Sequence, residues 1–472
     1  MTLLDYSNFY LVGIKGVAMT SLAQCLLDAG KKVSGSDLAE DFITQELLAK
    51  LNLKIDTDFT QALPADIDCV IYTAAHHGKQ NPQVQQALQK QIPIFSQAEA
   101  LSELFNQKKG IAVCGVGGKS TVSAMITWIL AKNQLPVSYS VGVGNILGLN
   151  KTGQWQEHAQ YFVAEADEYV INPEEVKQGK KPIPRFSFLK PFVTVCTNLR
   201  FDHPDVYQNF EQTKQVFVDF FTQIKTGGKL VINSEQKAAI TQLLPERSFP
   251  LDITTFGTSL DSDWQLLSCE VIDGATTNHF KFQNTDYQFL LKIPGQYNSL
   301  NALSAIAACY QLGISIDQSI QTLASFESTK RRFEFIKNQH QVSFYDDYAH
   351  HPDEIIAVVK ALTAMFPDKR LIVAFQPHTY SRTKALFTQF IEALSKIDHL
   401  ILLDIFASAR ESLDPTVSSQ MLAQEIEKQH QNKVTVLKDY HQLAEYLIKN
   451  SQPKDVVLTI GAGDIYQAHD LI

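Results

Sequence analysis

The chain has 472 residues, 45% of them hydrophobic and 19% charged, with 22 Gly and 17 Pro. That balance excludes a disordered or collagen-like protein and leaves room for about three domains of ~150 residues each. Lys and Arg total 41 against 50 Asp and Glu, a net charge of −9, which argues against nucleic acid as an obligatory partner because phosphate backbones draw on clustered excess cation.

Short apolar runs alternate with helix-length segments along the whole chain, the pattern of serial α/β units. The first unit reads as strand Phe9 to Val12, helix Met19 to Ala29, strand Lys32 to Ser34 and strand Val70 to Tyr72. A second opens with strand Ile111 to Cys114, a Gly-rich turn and a helix from Ser120 to Ala131, followed by strands Tyr161 to Ala164, Phe192 to Thr197 and Leu230 to Ile232 and a helix from Asn298 to Tyr310. The Lys- and Pro-rich stretch Val170 to Arg185 reads as a surface excursion. A third unit follows Arg332, with strands at Val342 to Tyr345, Leu371 to Phe375, His399 to Leu403, Lys433 to Leu437 and Asp455 to Ile460. Polar stretches at Asn106 to Gly110 and Phe326 to Arg332 set the expected divisions at 1–106, 107–327 and 328–472.

The six cysteines (Cys25, Cys69, Cys114, Cys196, Cys269, Cys309) stand singly, without the C-x-x-C spacing of a zinc site or the density of a disulfide framework. With no apolar run near ~18 residues and no basic leader in the first ten, the chain is expected to be cytoplasmic and free of membrane contact.

Gly115-Val116-Gly117-Gly118-Lys119-Ser120-Thr121 follows a strand and opens a helix. Glycines there let backbone N–H groups face phosphate oxygens, Lys119 reaches terminal phosphates and the Ser120 hydroxyl suits Mg²⁺. The loop is shorter than the usual phosphate-binding pattern, because Val113 stands where that pattern places its first Gly. Glu165-Ala166-Asp167-Glu168 and Asp202-His203 each come after a strand, on the sheet edge where α/β proteins bind ligands. Their carboxylates and imidazole suit a divalent cation. Of eight arginines (Arg185, Arg200, Arg247, Arg331, Arg332, Arg370, Arg382, Arg410), three fall within polar clusters around Arg331-Arg332, Asp346 to Pro352 and Gln376 to Thr383. Planar guanidinium groups suit carboxylate and phosphate ligands. His350 and His351 lack the i, i+4 spacing of a helical zinc site. Near the start, Gly13-Ile14-Lys15-Gly16 lies between strand and helix, with Asp37 at the spacing of a ribose-binding acid. Lys15 breaks the dinucleotide fingerprint and favours another diphosphate ligand; a tight structural turn is the alternative.

Taken in order, these motifs together with Ser34 to Asp37, Gly295 to Asn298, Asn301-Ala302 and Gly461 to Asp464 resemble the Mur ligases, the ATP-dependent amide-forming enzymes of peptidoglycan synthesis, from end to end. The resemblance implies a three-domain α/β architecture: a Rossmann-like N-terminal domain, a central P-loop ATPase-like domain and a Rossmann-like C-terminal domain. It implies ATP and Mg²⁺ as cofactors, UDP-N-acetylmuramate and L-alanine as substrates, and an acyl-phosphate route to the amide. Gly13, Lys15, Gly16 and Asp37 would then hold the UDP-sugar. Gly115 to Thr121, Asn298 and Asp347 would hold ATP, and Ser120, Glu165 and His203 would hold metal. Lys119, His203, Arg331, Arg332, His351, His378 and Arg382 would carry the chemistry. Departures from the family pattern are Val116, Gly117 and Ser120 in the loop, Tyr297 in place of a histidine, Lys15 in place of a glycine, and Val218 where several relatives carry a modified lysine. Two other readings use the same motifs. One is a ligase joining UDP-N-acetylmuramate to a preformed tripeptide, and the other a chain that binds ATP without turnover.

Overall fold

The computed structural model describes residues 2–244, 251–272, 274–407, 411–430 and 434–472; Arg247, Arg410 and Lys433 lie outside the described residues. Three sheets organise the chain. The first consists of β1 (Asn8–Val12), β2 (Lys32–Ser36), β3 (Ile55–Asp56), β4 (Cys69–Tyr72) and β5 (Ile94–Ser96), in the order β3-β2-β1-β4-β5 with every pairing parallel. Phe9, Tyr10, Leu11 and Val12 are buried on both faces of the sheet, which is why the strand reads as an unbroken apolar run. Strand order reverses at β1, so the Gly13–Gly16 turn sits at the crevice where such sheets take ligands.

The second sheet has ten strands: β6 (Lys109–Cys114), β7 (Val137–Ser140), β8 (Gly153–Gln154), β9 (Tyr161–Glu165), β10 (Val193–Cys196), β11 (Lys229–Asn233), β12 (Asp252–Gly257), β13 (Trp264–Ile272), β14 (Ala275–Phe282) and β15 (Thr285–Leu291). They run in the order β15-β14-β13-β12-β11-β10-β6-β9-β7-β8. Its parallel centre places β6 between β10 and β9, and with them the ends of three strands around the phosphate loop. The chain-order reading leaves 252–291 without elements, and the structure fills it with β12 to β15. The period-2 signal is there: β14 alternates buried and more exposed residues along its length, and Gln283 and Asn284, both at positive φ, make the turn into β15.

The third sheet comprises β16 (Glu334–Gln339), β17 (Val342–Asp347), β18 (Leu371–Phe375), β19 (His399–Leu403), β20 (Thr435–Leu437) and β21 (Val456–Ile460), ordered β16-β17-β21-β18-β19-β20. β16 is antiparallel to β17 and the other pairings are parallel. β9 and β17 run further than their apolar runs suggest. Val113 pairs with Glu165, and Asp346 and Asp347 pair with Thr459 and Ile460, so ladder bonding carries the strands into the acidic residues.

By contacts the chain forms two compact units. One comprises Met1–Glu270, Thr277–Lys292 and Asn298–Thr329, the other Val271–Thr276, Ile293–Tyr297 and Lys330–Ile472. Inside the first, helix Val17–Asp28 fastens the first sheet to the second. The hydroxyls of Ser21 and Ser140 lie 2.7 Å apart, and the Gln24 side-chain oxygen accepts from the N–H groups of Thr152 and Gly153. Among the described residues no helix is long and apolar enough to cross a membrane.

Candidate active site

The phosphate loop leaves β6 at Gly115 and enters helix Lys119–Lys132 after Gly118, and both glycines have positive φ. A Cβ at Gly115 would lie 2.2 Å from the Thr197 hydroxyl, and one at Gly118 would lie 2.5 Å from the Asn301 side-chain oxygen. The loop is therefore gripped from two elements, and only glycine tolerates both the conformation and the closeness. Asn198, just past β10, completes the grip. Its Oδ1 accepts from the N–H groups of Val116 and Gly117 at 3.1 and 3.2 Å, and its Nδ2 donates to the Gly117 carbonyl. Neither Thr197 nor Asn198 stands out in the sequence, since their role depends on β10 lying beside β6.

Lys119 donates from Nζ to both carboxylate oxygens of Glu168, at 3.0 and 2.8 Å. Burial alone would lower the Lys119 pKa, but Glu168, Asp167 and Glu165 together raise it, so the residue is a permanent cation. Beside it the Ser120 hydroxyl donates to Glu165 Oε1 at 3.1 Å, and Glu165 Oε2 accepts from the Gly142 N–H at 3.1 Å. His203, at positive φ, brings Nε2 to 3.4 Å from Glu168 Oε1 and 3.6 Å from Asp202 Oδ2. Asp167 pairs with Arg185 at 2.8 Å. Burial alone would raise its pKa, yet Arg185, Lys119 and His203 hold it down at about 2. The ligand atoms of Asp167, Glu168 and His203 lie within 4.8 Å of one another. This set of carboxylates, hydroxyl and one imidazole fits a hard divalent cation such as Mg²⁺. The acidic run as a whole reads in the sequence as suited to a cation, and the family resemblance singles out Glu165 and His203, whereas the cluster that meets His203 is Asp167 with Glu168. Which of four clustered residues reach a shared point is settled by strand register.

At the first sheet, the Gly13–Gly16 turn is tied to the chain after β2. Asp37 Oδ2 accepts from the Lys15 N–H at 2.7 Å and Oδ1 from the Leu38 N–H at 2.8 Å. His76 Nε2 lies 3.4 Å from Asp37 Oδ1, and a Cβ at Gly13 would meet both Thr73 and His76. His76 thus joins Gly13, Lys15, Gly16 and Asp37 at this edge, although no spacing rule singled it out.

In the second unit, Arg331 is committed to its own fold. Nε donates to Asp346 Oδ2, Nη1 to the Gly463 carbonyl and Nη2 to the Gly461 carbonyl, at 2.9, 2.9 and 2.5 Å, over the ring of Tyr466. Arg332 lies over the Tyr348 ring, 4.9 Å from its centroid, and Arg331 is 5.3 Å from the same centroid. Asp347 accepts from the N–H groups of Phe333 and Ala349, both at 2.7 Å, and burial pushes its pKa up to about 6. His351 caps helix Pro352–Met365, its Nδ1 accepting from the Asp353 N–H, while Glu354 accepts from the N–H groups of His350 and His351. Arg382 lies in helix Tyr380–Ala385 and is 4% exposed, with Nη1 3.1 Å from His378 Nδ1. The four-residue spacing from His378, which precedes the helix's first residue, brings the two side chains together. His378 stacks on Phe406. Asn298, 3% exposed, lies in the first turn of helix Gln296–Tyr310, the helix whose Asn301 meets Gly118.

Three family models cover most of the chain: the Mur ligase family catalytic domain over residues 8–109, the Mur ligase middle domain over 113–309 and the Mur ligase glutamate ligase domain over 331–463. A UDP-N-acetylmuramate–L-alanine ligase of Geobacter sulfurreducens is 36% identical over 98% of this chain and 96% of its own length. One from Acetivibrio thermocellus is 34% identical over 100% and 97%. The chain belongs to the Mur ligase family. Among solved structures, the UDP-N-acetylmuramate-alanine ligase of Thermotoga maritima has the same fold, with a TM-score of 0.79 at 24% identity over 98% of this chain and 97% of its own. A murein peptide ligase from Psychrobacter arcticus reaches a TM-score of 0.68 at 20% identity, covering 98% and 97%.

Proposed function

We propose that this chain joins L-alanine to the carboxylate of UDP-N-acetylmuramate at the expense of ATP, for peptidoglycan precursor synthesis, in the cytoplasm where its nucleotide substrates are found. The observation that carries the reading is the phosphate loop with Lys119 and Ser120 each bonded to a different acidic residue of the β9 edge, in a chain matching L-alanine ligases over its full length. A carboxylate is a poor acyl donor, and transfer of the terminal phosphate of ATP onto it makes an acyl phosphate with a good leaving group. The amine then attacks, and cations stabilise the tetrahedral oxyanion and departing phosphate.

In this reading residues 1–106 hold the UDP-sugar through Gly13, Lys15, Gly16 and Asp37. Residues 107–327 hold ATP through Gly115 to Thr121 and Asn298. Residues 328–472 receive the amino acid and contribute Asp347 to the nucleotide ribose. Lys119 leaves Glu168 for the phosphates. Bound Mg²⁺ would be held by Ser120, Glu165 and His203 with Glu168 and Asp167 alongside, and would supply Lewis-acid stabilisation of phosphoryl charge. Arg332 is the phosphate-contacting arginine, because Arg331 already spends three nitrogens on Asp346, Gly461 and Gly463. His351, His378 and Arg382 place the amino acid, with Arg382 toward its α-carboxylate. Phosphate release from ATP with UDP-N-acetylmuramate, compared across L-alanine, glycine, L-serine and tripeptide, tests the assignment. Efficient use of tripeptide with negligible use of alanine selects the tripeptide ligase instead, and no substrate-dependent release refutes both.

A further inference from the structure

Lys15 stands where the family pattern has a glycine, and the structure gives it a specific employment. All three of its polar groups engage the segment that follows β2. Its N–H donates to Asp37, its Nζ donates to the carbonyls of Leu38 and Glu40 at 2.7 and 2.6 Å, and its carbonyl accepts from the Thr44 hydroxyl at 2.5 Å. The residue is 5% exposed, and its ammonium also lies over the Phe42 ring. A buried ammonium with carbonyl partners makes charge-assisted bonds, so 37–44 is pinned to the turn.

That segment lies against the loop that follows β7, within the same compact unit. Ile43 packs against Gly144 so closely that a Cβ there would lie 2.5 Å from Ile43 Cγ1. Two residues earlier, Gly142 donates its N–H to Glu165 Oε2, and a Cβ at Gly142 would lie 2.9 Å from that oxygen. Glu165 in turn holds the Ser120 hydroxyl. The opposite end of the 141–144 loop is fixed by Ser140, bonded to Ser21, so Ile43 bears on a loop with little freedom to yield.

We propose that Lys15 is a positioning residue for the phosphate end of the site. By pinning 37–44 it makes Ile43 hold the Gly142–Gly144 loop, and through it Glu165, in register with Ser120. The sugar-nucleotide turn and the cation-binding edge are then mechanically joined, and a ligand that tightens one stabilises the other reciprocally. The inference rests on the reading of Ser120 and Glu165 as cation ligands.

Its test uses the intact chain and calorimetric binding of two ligands, UDP-N-acetylmuramate and the imido analogue of ATP with Mg²⁺. Lys15→Met keeps the length of the side chain and removes its donors, and should weaken both ligands by at least about fivefold, the lower end of ordinary coupling between sites. Ile43→Ala cuts the connection beyond Lys15, so it should weaken only the Mg²⁺ analogue by that factor and leave the sugar nucleotide within about twofold. Lys15→Arg should restore binding of both. A purely structural role for Lys15 predicts no such split in Ile43→Ala. Analogue affinity within twofold of wild type in Ile43→Ala, with unchanged melting, overturns the proposal, and this variant decides the matter if Lys15→Met does not fold. A wild-type chain that binds no Mg²⁺ analogue removes the cation-site reading itself, and the proposal with it.

Discussion

Lys119 has two duties that one double variant separates. Its side chain is 13% exposed and that of its partner Glu168 1% exposed, so Lys119→Met leaves a buried carboxylate with its principal cation gone. Breaking such a pair from one side costs roughly 3–5 kcal/mol. Adding Glu168→Gln removes the stranded charge and should recover most of that loss, because a neutral amide in the same volume costs far less to bury. Turnover should follow a different course. Loss of a cation aimed at the transferring phosphoryl group lowers kcat by at least ~100-fold, about 2.7 kcal/mol of barrier, and the second substitution cannot return it. Urea denaturation of both variants gives the stability arm, and alanine-dependent phosphate release gives the catalytic arm. A double variant that regains turnover to within tenfold of wild type would refute the assignment, since Lys119 would then serve only to neutralise Glu168.

Glu165→Gln should lower turnover by at least ~100-fold. His203→Ala should be milder and rescued by added Mg²⁺, with failure of rescue removing His203 from the cation site. Burial holds the Asp347 proton up to about 6 against an ordinary 3.8, so the native chain binds a proton that the unfolded chain has released between those values. The associated stability is fully present below about pH 4 and is lost as pH rises through 6. Denaturation at a series of pH values should show that slope in the wild type and not in Asp347→Asn, and equal slopes would contradict it. Arg331→Ala should destabilise the second unit more than Arg332→Ala does, while Arg332→Ala should cost more turnover; the reverse pattern would exchange their roles. Arg382→Ala should raise the KM for L-alanine far more than that for ATP. Glycine and L-serine should be used in part, as one methylene is worth only about 1 to 3 kcal/mol.

Local pattern exposed much of this architecture. Apolar runs of four or five residues marked the parallel strands because both faces of β1, β6 and β21 are buried and leave no polar position to interrupt the run. Gly115 to Thr121 was legible as a phosphate loop because a strand, glycines and a Lys-Ser pair opening a helix carry their mechanism within seven residues. The strands from 252 to 291 escaped because Thr and Asn share their faces with aromatics, which weakens the apolar alternation on which the reading depends.

The sequence by itself determined the order of elements outside 252–291, the family and the set of chemically able residues: one phosphate loop, one acidic run, one Asp-His step and the arginine-bearing clusters. Tertiary structure alone decided which members of each set act together. Glu168 rather than Glu165 takes Lys119, Asn198 holds the loop, Arg331 is spent internally, and Lys15 reaches back to Leu38 and Glu40. Periodicity and spacing report on contacts within a turn or two of chain, whereas these partners are 15 to 132 residues apart. They meet only because parallel pairing sets β10 and β9 on either side of β6, and β21 between β17 and β18, bringing the carboxyl ends of distant strands to common edges.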